Sequence, residues 1–280
     1  MALAMALWLA AVLLHAVVAS SLPLRLAASA TDQRLQALDK TAGRCRIFLV
    51  GSSVVLMGLS ATELEAATGC AAVNAALLNI SGQINEYLER ILVHARPGDF
   101  VVLSDRSWTD MPLDKKKYAE RPRWVSYLTS VSLAPHAMAD LRIVSNSDLR
   151  RSTRGDNLEF TALPGTPMLR FAAALDELPF RLVRISHQVQ IIRASGARPI
   201  LAATPILVAG SAKQVLEAQF ALLNERVLAT VGDDVWIGPI VETNLVYFAM
   251  EGQHSSEAGR RRWTKQIESV ILARGKTPSP

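Results

Sequence analysis

The sequence is poor in the residues that would place it in several common classes. It has two cysteines and five histidines in 280 residues. Two cysteines are too few for a disulfide-built scaffold, and no His/Cys cluster has the spacing of a zinc site. Neither a Walker loop nor a G-x-G-x-x-G is present, which removes the usual grounds for a nucleotide cofactor. No metal, no cofactor and no nucleic-acid partner is therefore expected. No internal repeat is visible. Charge is modest, 20% of residues with a formal net of +5, while half the residues are apolar. Such a chain is neither disordered nor an all-round membrane protein, and it is long enough to bury an ordinary core.

What charge there is has a place. Ten of the 30 Lys and Arg fall between Arg106 and Arg154. That band reads either as a solvated loop or as a surface for an anionic polymer. The first segment is the opposite: Ala2 to Leu22, ALAMALWLAAVLLHAVVASSL, carries no formal charge. About 20 residues at ~1.5 Å each match a ~30 Å hydrocarbon core. Residues 1–30 thus form a membrane anchor or a signal peptide, with Ala28-Ser29-Ala30 as a late A-x-A site. Either one places the remainder, a single domain over residues 40–280, in the periplasm or outside the cell. Cys45 and Cys70 each stand just ahead of a predicted strand. If those strands are neighbours in an oxidising compartment the pair can bond; otherwise they are two buried thiols.

Hydrophobic patterning gives the order of elements. The non-alternating run Ile47 to Val50 reads as a parallel strand covered on both faces, running into Gly51-Ser52-Ser53. Ser60-Ala61-Thr62-Glu63 is a capping box opening a short helix that stops at Gly69. CAAVNAALL is a second apolar run ending near Asn79. A helix follows with Ile84, Leu88, Ile91 and Leu92 on one face, broken at Pro97-Gly98-Asp99 before FVVLS. From Asp105 to about Gly165 the periodicity weakens, as in a lid or binding insertion. It resumes with a helix from about Pro167 to Ser195, the strand in RPILAATP, and a helix from Ser211 to Thr230. The apolar set of that last helix is Val215, Leu216, Leu222, Leu223 and Val227. DVWIG gives a fifth strand. The final helix begins after Ser255 and presents Trp263, Ile267, Val270 and Ile271, with Gly259 on the same stripe to let it approach the sheet. Strands alternating with helices predict an α/β fold with a central parallel sheet of about five strands.

In an open parallel sheet, ligands bind beyond the carboxyl ends of the strands. Gly51-Ser52-Ser53, the stretch from Asn79 to Gly82 and the loop carrying Glu251 and His254 all collect there. A serine hydroxyl becomes a nucleophile when a base takes its proton, and the base works best when held by an acid. Glu251 and His254, three apart in a turn, can supply both, and the following helix N-terminus favours neutral imidazole. Taken singly, the two motifs have plainer meanings, a helix-capping loop and a tight or phosphate-binding turn. Their convergence is the functional signal. His187 reads as a packed or surface residue, Asp233-Asp234 as a turn, Lys115 to Lys117 as solvated, and Trp108 and Trp124 as core anchors or sugar-stacking platforms.

These residues also carry a resemblance. IFLVGSSVVLMG resembles the nucleophile block of the SGNH (GDSL-type) hydrolase superfamily, with Ser52 where an aspartate usually stands. EGQHSSEAG is similar to its D-x-x-H block, with Glu251 for the aspartate. NISGQ, RPGDFVVL and GARPILAATP are similar to the blocks between, so the resemblance runs from about Arg44 to Ala273 and leaves Asp105–Gly165 unmatched. It implies a three-layer, flavodoxin-like sandwich, with Ser53 as nucleophile, Glu251 as orienting acid and His254 as base. The backbone N–H groups of Ser53 and Gly82 would line the oxyanion hole, without a cofactor. The asparagine that the family supplies after the third strand is replaced by Ser104-Asp105-Arg106-Ser107, leaving Asn79 or Asn74 to stand in. The closest likeness is to exported, membrane-tethered bacterial members that handle acyl groups on surface polymers. The implied function is an esterase or O-acyltransferase acting on an extracytoplasmic, carbohydrate ester. The alternative is a protein that keeps the fold without the chemistry and binds an anionic surface polymer.

Overall fold

The computed structural model describes residues 31–41, 43–77, 84–109, 178–232, 236–249 and 254–275, with residues 5, 6, 8, 10, 154 and 156. Most of the apolar run from Ala2 to Leu22 therefore lies outside the described residues. Met5 and Trp8, which lie within them, are exposed. Among the described residues no helix is long and apolar enough to cross a membrane.

Helix α1, over residues 31–39, leads into β1 (Arg46–Gly51). Then come α2 (Ser53–Gly58), α3 (Ala61–Thr68), β2 (Ala71–Asn74), α4 (Ile84–Leu92) and β3 (Phe100–Ser104). After the insertion follow α5 (Leu178–Ala194), β4 (Arg198–Ala202), β5 (Ile206–Leu207) and α6 (Lys213–Val231). The end of the chain holds β6 (Trp236–Ile237), β7 (Val241–Glu242), β8 (Phe248–Ala249), β9 (His254–Ser255) and α7 (Glu257–Gly275). Five parallel strands form the central sheet in the order β2-β1-β3-β4-β6. The short strands β5 and β7 prolong the β4–β6 edge beyond its carboxyl end.

Period-two alternation divides the core. Phe48, Val50, Val101 and Leu103 join α1, α4, α5 and α6 on one side of the sheet. Ile47, Leu49, Phe100 and Val102 join α2, α3 and α7 on the other. Every residue of β1 is buried, so the continuous apolar run follows from cover on both faces. Local signals act as their chemistry dictates. The Ser60 side chain accepts from Glu63 N–H at the start of α3, and Gly69 ends the helix at φ 74°. In α6 the buried face is Leu216, Phe220, Leu223, Val227 and Val231, while Val215 is 59% exposed. Val215 thus leaves the expected apolar set, because it lies about 100° around the helix from Leu216.

Two ties close the amino edge of the sheet. Cys45 and Cys70 form a disulfide with their Cα atoms 4.7 Å apart, just ahead of the paired residues Arg46 and Ala71. Arg46, wholly buried, pairs with Asp99 at 2.5 Å and Asp39 at 2.8 Å and donates to the His94 carbonyl at 2.7 Å. Removing one partner of such a buried pair typically costs about 3–5 kcal/mol, since the other charge is stranded.

Gly259 does permit a close approach, though to a different partner than expected. A Cβ there would stand 2.0 Å from the Tyr247 carbonyl oxygen, in the turn ahead of β8 rather than in the sheet. Gly259→Ala is therefore expected to lower stability by about 1–3 kcal/mol through overpacking. Gly210→Ala, which meets nothing within 4 Å, should not. Urea unfolding of the two variants checks the contrast, and equal midpoints would contradict it.

Candidate active site

Strand β1 delivers Ser53 to the carboxyl edge through a turn that admits no side chain at its first position. A Cβ on Gly51 would lie 2.4 Å from Val55 Cγ2 and 2.7 Å from the Ser104 carbonyl. The chain must therefore turn at Ser52, whose carbonyl accepts from the N–H groups of Val55 and Leu56 and starts α2. Ser53, half-buried, is the first residue of that helix. The Ser52 hydroxyl is buried and has no hydrogen-bond partner among the described residues. An orphaned hydroxyl of this kind costs about 1–3 kcal/mol, and here it leaves a donor beside Ser53.

The second half of the site comes from the β8–β9 hairpin. Ala249 pairs with His254 and Phe248 with Ser255. Alternation turns His254 to one face and Ser255 to the other, where Ser255 lies buried over Gly58. His254 Nε2 stands 3.0 Å from Ser53 Oγ. With the proton on Nδ1, Nε2 accepts the hydroxyl hydrogen, the arrangement that activates a serine.

What holds the hairpin is the first turn of α7. Ser256 N–H donates to the Tyr247 carbonyl at 3.0 Å, and its hydroxyl to the Val246 carbonyl at 2.5 Å. That hydroxyl also accepts from Gly259 N–H at 3.2 Å. One turn further along the same face of α7, Trp263 is buried against Gly58, at the end of the helix that Ser53 begins. One helix therefore sets both the base and the element bearing the serine.

The expected residues fare unequally. Glu251, Gly82 and Asn79 lie outside the described residues, as do Asp233, Asp234, the lysine run and Trp124. Asn74 is not free for an oxyanion hole. Its side chain donates to the Leu59 carbonyl at 3.1 Å and accepts from Ala76 N–H at 3.2 Å, which braces the β2 end against α3. Asp105 accepts from Arg184 at 2.7 Å, Gln188 at 2.9 Å and Ser107 N–H at 2.9 Å, a buried network that fixes the start of the insertion. Trp108 is a core residue rather than a sugar platform. It is fully buried, donates to Gln188 Oε1 at 2.9 Å and packs on Trp236 with ring centroids 5.4 Å apart. His187 is exposed on α5. Among the described residues no group of His, Cys, Asp and Glu could hold a metal.

Two features carried no sequence signal. Asp156 caps α3 from within the insertion, accepting from Ala61 N–H at 2.7 Å, Thr62 N–H at 2.9 Å and Thr62 Oγ1 at 2.7 Å. Glu242 lies under the turn that leads to the hairpin. It accepts from Thr243 N–H at 2.8 Å, from Asn244 N–H at 3.0 Å and from Arg262, whose guanidinium also covers the Tyr247 ring. Burial pushes the Glu242 carboxyl up, but these three donors outweigh it and hold the group below the usual range. A carboxyl depressed in the folded state contributes stability above its unfolded pKa and loses it as pH falls through the folded value. Glu242→Gln should therefore flatten the acid limb of stability against pH, relative to wild type. Melting temperatures between neutral and acid pH read this directly, and parallel curves would contradict it.

The chain matches no protein-family model, and no curated protein is similar to it.

Proposed function

We propose that the protein is a serine-dependent esterase or O-acyltransferase of the SGNH type, built on a three-layer flavodoxin-like sandwich. The observation that carries this reading is the 3.0 Å contact between Ser53 Oγ and His254 Nε2 at the carboxyl edge of the sheet. A serine and a histidine 201 positions apart meet there with the geometry a general base requires. The strand order, with β1 interior and the chain crossing to β2 on one side and β3 on the other, supports the fold reading.

In this mechanism Ser53 Oγ attacks the acyl carbon as its proton passes to His254 Nε2. The tetrahedral oxyanion rests on the Ser53 N–H, with Gly82 and Asn79 as further donors. His254 then gives the proton to the departing alcohol, leaving an acyl-enzyme on Ser53. Water or a sugar hydroxyl, deprotonated by the same histidine, attacks that ester and frees the serine. Glu251 is the acid that orients the ring and balances the imidazolium. The Cys45–Cys70 bond supports an oxidising, extracytoplasmic location, and the run from Ala2 to Leu22 supports tethering to a membrane. The substrate on this reading is an acyl ester of a carbohydrate. The alternative, a fold retained for binding an anionic polymer, predicts no turnover.

Hydrolysis of a small aryl acetate by the full chain tests the reading. Ser53→Ala should abolish turnover. Glu251→Gln, which keeps the shape and removes the charge, should lower it on the order of 10³-fold or more, with folding unchanged. His254→Ala should cost at least as much, and either change combined with Ser53→Ala should add little, because triad members act as a unit. A Glu251→Gln protein at the wild-type rate would end the triad assignment. Full activity in Ser53→Ala would move the nucleophile elsewhere.

A further inference from the structure

The direction of α1 decides which edge of the sheet the preceding chain approaches. Its last turn lies at the amino edge, where Asp39 pairs with Arg46 and the Asp39 carbonyl accepts from Arg96. Its first turns lie toward the other end. Asp32 pairs with Arg90 of α4, four residues before the His94 that meets Asp39, so α1 runs alongside α4, which leads into the amino end of β3. Leu35 and Leu38 anchor the helix in the core between these points. Helix α1 thus runs antiparallel to β1, and residue 31 lies on the carboxyl-edge side of Asp39. The uncharged run Ala2 to Leu22 precedes it by residues 23–30. Even fully extended, that spacer reaches only roughly 28 Å.

Exposed apolar side chains, an independent feature, gather at the same edge. Phe180 and Val183 stand on the first two turns of α5, Val215 on the first turn of α6, and Leu245 and Val246 in the turn before the hairpin. Val183 is 70% exposed and Val246 57%. Helices α5 and α6 each lead into the amino end of a strand, so their first turns lie at the carboxyl edge. Of the large apolar residues exposed after residue 31 among the described residues, only Val93 and Leu272 stand elsewhere, near the amino edge. Apolar side chains around a functional edge, beside a tether suited to hydrocarbon, fit an interfacial surface.

We infer that the carboxyl edge of the sheet docks on the lipid bilayer that holds residues 2–22, with Leu245 and Val246 at the contact. Resting on the reading of Ser53 as nucleophile, this assigns a substrate class: acyl esters carried by a membrane amphiphile, such as a lipid-linked carbohydrate. Ser53 would reach the ester bond among the headgroups while the apolar part of the substrate stays in the bilayer.

The full chain in liposomes containing nitroxide-labelled lipid tests the docking. Single fluorophores are attached through Val246→Cys, Val183→Cys or Val93→Cys, with the native cysteine pair left bonded. Quenching several-fold stronger at 246 and 183 than at 93 is the expected result. Equal quenching at all three, or the strongest at 93, overturns the orientation. No chemistry enters that readout, so an inert Ser53 would leave it intact and remove only the substrate assignment. In the same liposomes, a long-chain ester held in the bilayer should turn over several-fold faster than its short-chain soluble counterpart. The reverse ranking overturns the substrate class.

Discussion

The contact between Ser53 and His254 depends on a constraint set far from either side chain: helix α7 must lie flat against two separate pieces of the chain at once. Its Gly259 allows the Tyr247 carbonyl to approach, and its Trp263 fills the space left by Gly58. The first of these contacts fixes the hairpin that carries the histidine, and the second fixes the helix that carries the serine. A side chain at either glycine would move one partner relative to the other. The 3.0 Å separation is therefore a product of backbone packing as much as of the two residues themselves. The Glu242–Arg262–Tyr247 stack works toward the same end by stiffening the approach to the hairpin.

The two ends of the sheet are built differently along the strand axis. At the amino edge, the disulfide, the buried Arg46 network and the Arg198–Arg274 contacts with neighbouring backbone tie layers together. At the carboxyl edge the strands end in hydroxyls and short irregular segments, and two of those hydroxyls, Ser52 and Ser107, are buried without a partner among the described residues. Unmet polar groups are costly, so an edge that carries them relies on the rigidity of the rest. The insertion is held at both ends by charge: Asp105 meets Arg184 and Gln188 near its start, and Asp156 meets the α3 N-terminus near its return.

Local chemistry was legible in the sequence, and distant pairing only where the sheet's own topology dictates it. The Gly69 stop and the buried run of β1 depend on neighbours within a few residues and are as read. The capping box forms by half: Ser60 Oγ accepts from Glu63 N–H, but Ser60 N–H donates to Thr264 Oγ1 of α7. The serine turn and the histidine loop were legible because strand ends in a parallel sheet must share an edge. Strands β5, β7, β8 and β9 have two residues each, too few for any period to register. Asp156 lies in an aperiodic stretch and meets partners 94 to 96 positions away, so nothing near it in sequence marks it as a cap. Gly259 lies on the packed stripe of α7 that the apolar spacing marks, but the partner it admits is a turn carbonyl that no hydrophobic pattern encodes. Asn74 shows the converse limit. Residue type made it a candidate donor, and only its hydrogen bonds to the Leu59 carbonyl, to Asp156 and from Ala76 N–H reveal a bracing role.

The central claim is that His254 acts on Ser53 as a base, and the rate at which a fluorophosphonate modifies the intact protein measures that action most directly. Modification should fall on Ser53 alone, and its rate should rise with pH along a single ionisation in the histidine range. Both the rise and most of the rate should vanish in His254→Ala while the fold is retained. Modification of Ser53 at an undiminished rate in His254→Ala, or none in the wild-type protein, would contradict the account.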